Sequence, residues 1–167
     1  MPDTKDPDPI AEHAELIGRV AIAWNDVQRL IYLLFEHFSE LPSEKAQAVF
    51  GAIGVDRTQR RIVLALGRIA MADDPDLVKR LGKALHALDK MAEERNAAIH
   101  TSWGVDLHTR RMAPANNMPV HSALKEDFVA QFTKLRDQLW EHFFTLHNIY
   151  VDHTDRHPEL YSEDSVP

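Results

Sequence analysis

The sequence predicts an all-α fold: an antiparallel bundle of four main helices plus one short helix, with a small loop or hairpin before the last helix. Three observations predict it. Apolar residues recur at spacings of three and four over long stretches, only six glycines occur in 167 residues, and period-two alternation is confined to one short segment. Loops between the helical stretches are mostly short, which makes neighbouring helices antiparallel.

Ile17, Val20, Trp24, Val27, Ile31, Leu34 and Phe38 form one stripe and predict a first helix over about 10–39. Pro42 ends it and Ser43 caps a short helix over about 43–53, stopped by Gly51 and Gly54. Asp56 is the expected cap of a third helix over about 57–72, with Ile62, Leu66 and Ile69 facing inward. Asp73-Asp74-Pro75 breaks the chain, and Pro75 opens a fourth helix over about 75–102. Residues 103–121 hold Gly104, Pro114, Asn116, Asn117 and Pro119, with Val105 and Leu107 alternating against polar neighbours. This segment reads as a loop with a short hairpin. Ser122 is the expected cap of the last helix, about 123–151, whose stripe is Phe128, Phe132, Leu135, Leu139, Phe143, Leu146 and Ile149. Residues 10–151 are thus one helical domain, between mobile polar tails at 1–9 and 152–167.

Composition narrows the function. Apolar residues make up 44% of the chain, enough for a core without staples, and there is no cysteine. Disulfide scaffolds, thiolate zinc sites, iron–sulfur clusters and cysteine nucleophiles are excluded. The longest bulky apolar run, residues 30–35, is far short of the ~20 a membrane span needs. The opening MPDTKDPDPI lacks the basic-then-apolar pattern of a signal peptide. A cytoplasmic protein is expected. The net charge of −7 resides mostly in the tails: residues 1–9 hold three acids and one base, residues 152–167 five acids and one base. The folded part is nearly neutral and leaves room for a local basic groove.

The fourth helix carries the sharpest conflict. Its stripe runs Leu77, Leu81, Leu85, Leu88, Ala92, then Arg95, then Ile99. A guanidinium on an apolar stripe must be paired, or must line a cavity or interface. Asn96 and His100 are four residues apart and share a face, whereas Arg95 and His100 lie about 140° apart around the helix. These residue types suit phosphate chemistry. Arginine grips phosphate oxygens with a planar fork, and imidazole titrates near neutral pH and moves a proton. Asparagine can orient the imidazole, the ribose or the phosphate. The plainer reading is that Arg95 and His100 cap carbonyls or pair with Glu93 or Glu94.

Glu94-Arg95-Asn96-Ala97-Ala98-Ile99-His100 resembles the Arg-X4–6-His motif of the HEPN superfamily, and Thr101-Ser-Trp-Gly104 after it is similar to stand-alone bacterial members. The resemblance covers about 10–151, and only about ten residues of it are distinctive. It implies a helical bundle, commonly a homodimer, whose two motifs face a shared cleft. It further implies a metal-independent endoribonuclease of toxin, phage-defence or RNA-processing type that needs no cofactor. Carried over, Arg95 and His100 are the catalytic pair, Asn96 the supporting polar residue and Glu94 a weaker addition. Such proteins often sit beside a nucleotidyltransferase antitoxin. Other members only bind nucleotides or proteins, so a non-catalytic binding dimer is the alternative.

Further cations are candidates for substrate phosphates. Arg57, Arg61 and Arg68 lie at helical spacing with Arg60 adjacent, and Arg110 and Arg111 follow the motif. Each is also readable as a solvated face or turn. The ten histidines include no His-Glu-X-X-His, and His142 and His147 do not share a face. His153, Asp155 and His157 have a chelating spacing, but no native metal site is expected because the set does not converge. Trp24, Trp140, Phe143 and Phe144 are expected in the core or at a subunit interface.

Overall fold

The computed structural model describes residues 8–115 and 118–156. The chain is all-α: helices α1 (Pro9–Ser39), α2 (Ser43–Ala52), α3 (Asp56–Ala70), α4 (Pro75–His100) and α5 (Phe128–Arg156), with one two-stranded sheet, β1 (Trp103–Asp106) and β2 (Arg111–Pro114). The strands pair antiparallel, Trp103 opposite Pro114 and Asp106 opposite Arg111. No helix among the described residues is long and apolar enough to cross a membrane.

The chain divides into two compact units, Met1–Asn25 with Lys90–Leu139, and Asp26–Asp89 with Trp140–Pro167. In the first unit, Val20, Ala23 and Trp24 of α1, Met91, Ala97 and Ala98 of α4, and Phe132, Leu135 and Leu139 of α5 are buried. Trp24 meets Arg95 while His13 meets Trp103, so α1 runs antiparallel to the end of α4. In the second unit the core is Val27 to Phe38 of α1, Val63 of α3, Leu77 to Leu88 of α4, and Leu146 and Ile149 of α5. Arg80 bonds Asp152 and Asp74 bonds Arg156, which makes α4 and α5 antiparallel there. Arg60 meets Asp89 and Gly67 meets Leu81, so α3 and α4 are antiparallel too. Gly67 permits that approach: a Cβ there would stand 2.6 Å from Leu81 Cδ2 and 3.2 Å from Phe38. Phe50 packs α2 onto Tyr32 and Phe35 of α1.

Several sequence expectations are corrected. The buried face of α3 is Arg60, Val63 and Gly67, while Ile69 is 76% exposed and Ile62 and Leu66 are half-buried. With Arg60 buried against Asp89, the inward face centres on Val63 and not on Ile62, Leu66 and Ile69. Asp56 is the first residue of α3, not its cap; Val55 holds that position, and Pro42 precedes α2 without a side-chain cap. The fourth helix stops at His100, two residues early. The last helix starts at Phe128 instead of 123. Asp127, not Ser122, caps it by accepting from the Ala130 amide. The preceding segment stays non-helical because the buried Gln131 amide takes its backbone groups, accepting from Lys125 N at 2.9 Å and donating to Ala123 O at 2.8 Å. At its far end α5 runs to Arg156, through five residues expected in the tail, and α1 begins at Pro9. The rest of both tails, and Asn116 and Asn117, lie outside the described residues.

Candidate functional site

The end of α4 carries the motif inside the first unit. The buried face continues through Met91, Ala97 and Ala98, which leaves Arg95 half-buried beside it. Its guanidinium carbon lies 5.7 Å from the Trp24 ring centroid, within cation–π range. Its Nη1 donates to Asn96 Oδ1 at 3.0 Å, and its Nε is buried without a hydrogen-bond partner. Among the described residues no carboxylate pairs with Arg95, so neither Glu93 nor Glu94 neutralises it. A face of tryptophan and one amide hold the cation, and its remaining donors are uncommitted.

His100 ends the helix and is exposed. No ion pair or hydrogen bond engages its ring among the described residues, and five residues separate it from Arg95, about 7.5 Å along the axis. Glu94 and Asn96 are half-buried. The chain then turns into β1, and Trp103 locks the turn: its Nε1 donates to Ala98 O at 3.1 Å, and its ring packs on His13, Phe128 and Phe132. Trp103 thereby fixes the last turn of α4, where His100 sits.

A cleft of about 1430 Å3 opens in the same unit between the starts of α1 and α5 and the hairpin. Arg111, exposed on β2, lines it. Arg110 is exposed at the hairpin turn with a left-handed φ of 52° and does not line it. His13 lines the cleft and was not singled out by its sequence position. It is 8% exposed, its Nε2 has no partner, and burial pushes its imidazole below the ordinary value. The legible signal was that the α1 stripe, extended one turn back from Ile17, lands on His13.

Arg57, Arg61 and Arg68 are exposed on α3 and belong to the second unit. Arg60 beside them is buried, with Nη2 2.6 Å from Asp89 Oδ1; Arg57 and His86 stand 3.9 Å from the same carboxylate. His153 also lies in this unit. It is buried, 2.7 Å from His37 and 3.3 Å from Ala70 O, while His157 lies outside the described residues. Among the described residues no three His, Asp or Glu side chains converge as a metal site. Trp24 is buried as expected, whereas Trp140 and Phe144 are 38% and 57% exposed.

Fold and site together define an all-α protein that presents, at one helix end, an exposed histidine and an arginine with no carboxylate partner among the described residues. No protein-family model, curated protein or solved structure matches the chain.

Proposed function

We propose that this chain is a metal-independent endoribonuclease of HEPN type, acting through Arg95, Asn96 and His100. The observation that carries this reading is the state of Arg95: a guanidinium on a helix face, steadied by Trp24 and Asn96, with no carboxylate partner among the described residues. An arginine kept for stability would be expected to close its charge on an acid. One left open retains donors for a phosphate.

In the reaction, the 2′-hydroxyl of a ribonucleotide attacks the adjacent phosphorus. His100 takes the hydroxyl proton as the O2′–P bond forms. The P–O5′ bond breaks and the leaving oxygen takes a proton from water. Arg95 stabilises the charge that builds on the phosphoryl oxygens, and Asn96 fixes the guanidinium through its Oδ1. The products are a 2′,3′-cyclic phosphate and a 5′-hydroxyl. Such a role fits a toxin, a phage-defence factor or an RNA-processing enzyme, and a neighbouring nucleotidyltransferase antitoxin would be its regulator. A second copy of the chain is the proposed partner. The exposed Trp140 and Phe144, one turn apart on α5, support it, since paired exposed aromatics are the usual anchors of interfaces.

The test is incubation of single-stranded RNA with the protein in EDTA, followed by analysis of the ends. His100→Ala is expected to stop cleavage with the fold intact. Binding of RNA without turnover by the wild-type protein would favour the non-catalytic alternative.

A further inference from the structure

We infer that the solvent side of the α3–α4 seam is a docking face for the phosphate backbone of a nucleic-acid duplex, with Arg61 and Arg68 of α3 and Lys79 and Lys83 of α4 as its contacts. This face uses none of the motif residues and goes beyond the ribonuclease reading, since it requires binding and not cleavage.

Charge comes first. Residues 57–72 and 77–88 together hold seven Arg and Lys and no Asp or Glu, in a chain whose acids outnumber its bases 26 to 19. Two of the seven are neutralised, Arg60 on Asp89 and Arg80 on Asp152, and Arg57 shares Asp89 at 3.9 Å. Arg61, Arg68, Lys79 and Lys83 are exposed, and among the described residues no carboxylate pairs with any of them. The acids of this helix pair stand at its ends. Asp89 is taken by Arg60, and Asp74 by Arg156 and the Leu77 amide. Asp56, Asp73 and Asp76 remain, beyond either end of the row of free cations.

Placement comes second. Arg57, Arg61 and Arg68 fall within about 40° of one another around α3, and Lys79, Lys83 and His86 within about 60° around α4. The two rows flank one seam: Arg57 Nε from α3 and His86 Nδ1 from α4 both stand 3.9 Å from Asp89 Oδ2. The helices are antiparallel, with Arg60 at Asp89, Leu64 at Gly82 and Gly67 at Leu81. That register sets Arg61 level with His86 and Arg68 level with Lys79. From Arg57 to Arg68 the row is about 16 Å long. All of these residues belong to the second unit.

The kind of partner follows from the other side chains of the face. Residues 57–72 and 77–88 hold no Phe, Tyr or Trp, so the bases of a single strand find no platform to stack on. Of the bulky apolar side chains on α3 and α4, Ile69 alone is exposed, and it lies about 100° round the helix from Arg68. The cation rows thus have no apolar anchor for a bilayer beside them. Cations without stacking or apolar groups contact phosphates and leave the bases unread. A duplex, dense in phosphate and with its bases turned inward, is the polyanion that fits. RNA and DNA duplexes both present this chemistry.

The experiment uses the full chain carrying His100→Ala, so that RNA stays whole. It is titrated over a range of salt with fluorescein-labelled short duplexes of RNA and of DNA, with the matching single strand, and with vesicles of phosphatidylserine and phosphatidylcholine. At least one duplex should bind more tightly than the single strand, and the tighter of the two names the source of the phosphates. Arg61→Gln with Arg68→Gln and Lys83→Gln keeps helix-forming residues at exposed positions. This triple substitution should weaken duplex binding by about tenfold or more at low salt. It should also shallow the plot of log affinity against log salt by about 2–3, three phosphates at about 0.7–0.9 each. Arg29→Gln with Lys45→Gln and Lys125→Gln removes the same charge from exposed positions elsewhere and should leave binding largely unchanged. An equal loss in that control, duplex binding untouched by the seam substitutions, no duplex binding at low salt, tighter binding of the single strand, or vesicle binding in place of duplex binding overturns the docking face. Cleavage of single-stranded RNA by the wild type is read separately, so the ribonuclease stands or falls on its own.

Discussion

Arg60 Nη2 lies 2.6 Å from Asp89 Oδ1, and the arginine is only 4% exposed whereas the aspartate side chain is one-third exposed. The guanidinium has two further buried nitrogens, Nε and Nη1, without partners. Its single carboxylate therefore carries most of the compensation for burial. Asp89→Ala should destabilise the protein by about 2–4 kcal/mol, somewhat under the cost of breaking a fully buried pair because Asp89 is partly hydrated. Arg60→Met should be close to neutral, since it removes the charge along with the need for a partner. Urea unfolding of the two variants measures both values; equal losses would contradict this account.

His13 gives a pH prediction. Burial lowers its pKa from the ordinary 6.5, so the folded state resists the proton that the unfolded chain takes up. Its contribution to stability is full above about pH 6.5 and declines as pH falls from there toward the folded value. Titration of the His13 ring protons by NMR should give a midpoint below 6.5. A midpoint at or above 6.5 would show the ring to be hydrated or paired with an acid.

The segment before α5 depends on one side chain. Gln131 bonds Ala123 O and Lys125 N, and no helix organises those residues. Gln131→Ala should release the Lys125 amide to fast hydrogen exchange while amides in the middle of α5 stay protected. The cost in stability should be about 1–3 kcal/mol, as expected for freeing buried backbone groups from a partner. Lys125 exchange identical in the two proteins would mean that other contacts hold the loop.

Trp140 and Phe144 test the partner. If a second copy covers them, Trp140→Ser with Phe144→Ser should convert a dimer into a monomer by light scattering, with unchanged helicity. A wild-type monomer at high micromolar concentration would remove the dimer, and a dimer that survives the double substitution would move its interface elsewhere.

Much of this architecture was legible because long amphipathic stripes leave few choices. Val20 to Phe38, Leu77 to Leu88 and Phe132 to Ile149 mark the helices that the structure contains, and Val105 marks the hairpin. The errors occur where polar or small residues do the work of apolar ones. On α3 the apolar pattern points to Ile69, yet Arg60 and Gly67 face inward because one has a carboxylate to meet and the other makes room for Leu81. Before α5, Ser122 looks like a cap, yet the Gln131 amide reaches back to Ala123 O eight residues earlier and to Lys125 N six earlier, bonds that no helical spacing reveals. In the site, Arg95 was conspicuous as a charge on a stripe. Its Trp24 neighbour was not, because that contact joins two helices distant in sequence. His13 was legible only by carrying the α1 stripe one turn back from Ile17, onto a polar residue.

The most direct measurement compares cleavage of a single-stranded RNA in EDTA by the wild type, His100→Ala and Arg95→Ala, each first checked for native helicity. The wild type should give 2′,3′-cyclic phosphate and 5′-hydroxyl ends. The rate should be lower by about 10²–10⁴ in His100→Ala, the usual contribution of a positioned acid or base, with a comparable loss in Arg95→Ala. Cutting by both variants at the wild-type rate would contradict these roles.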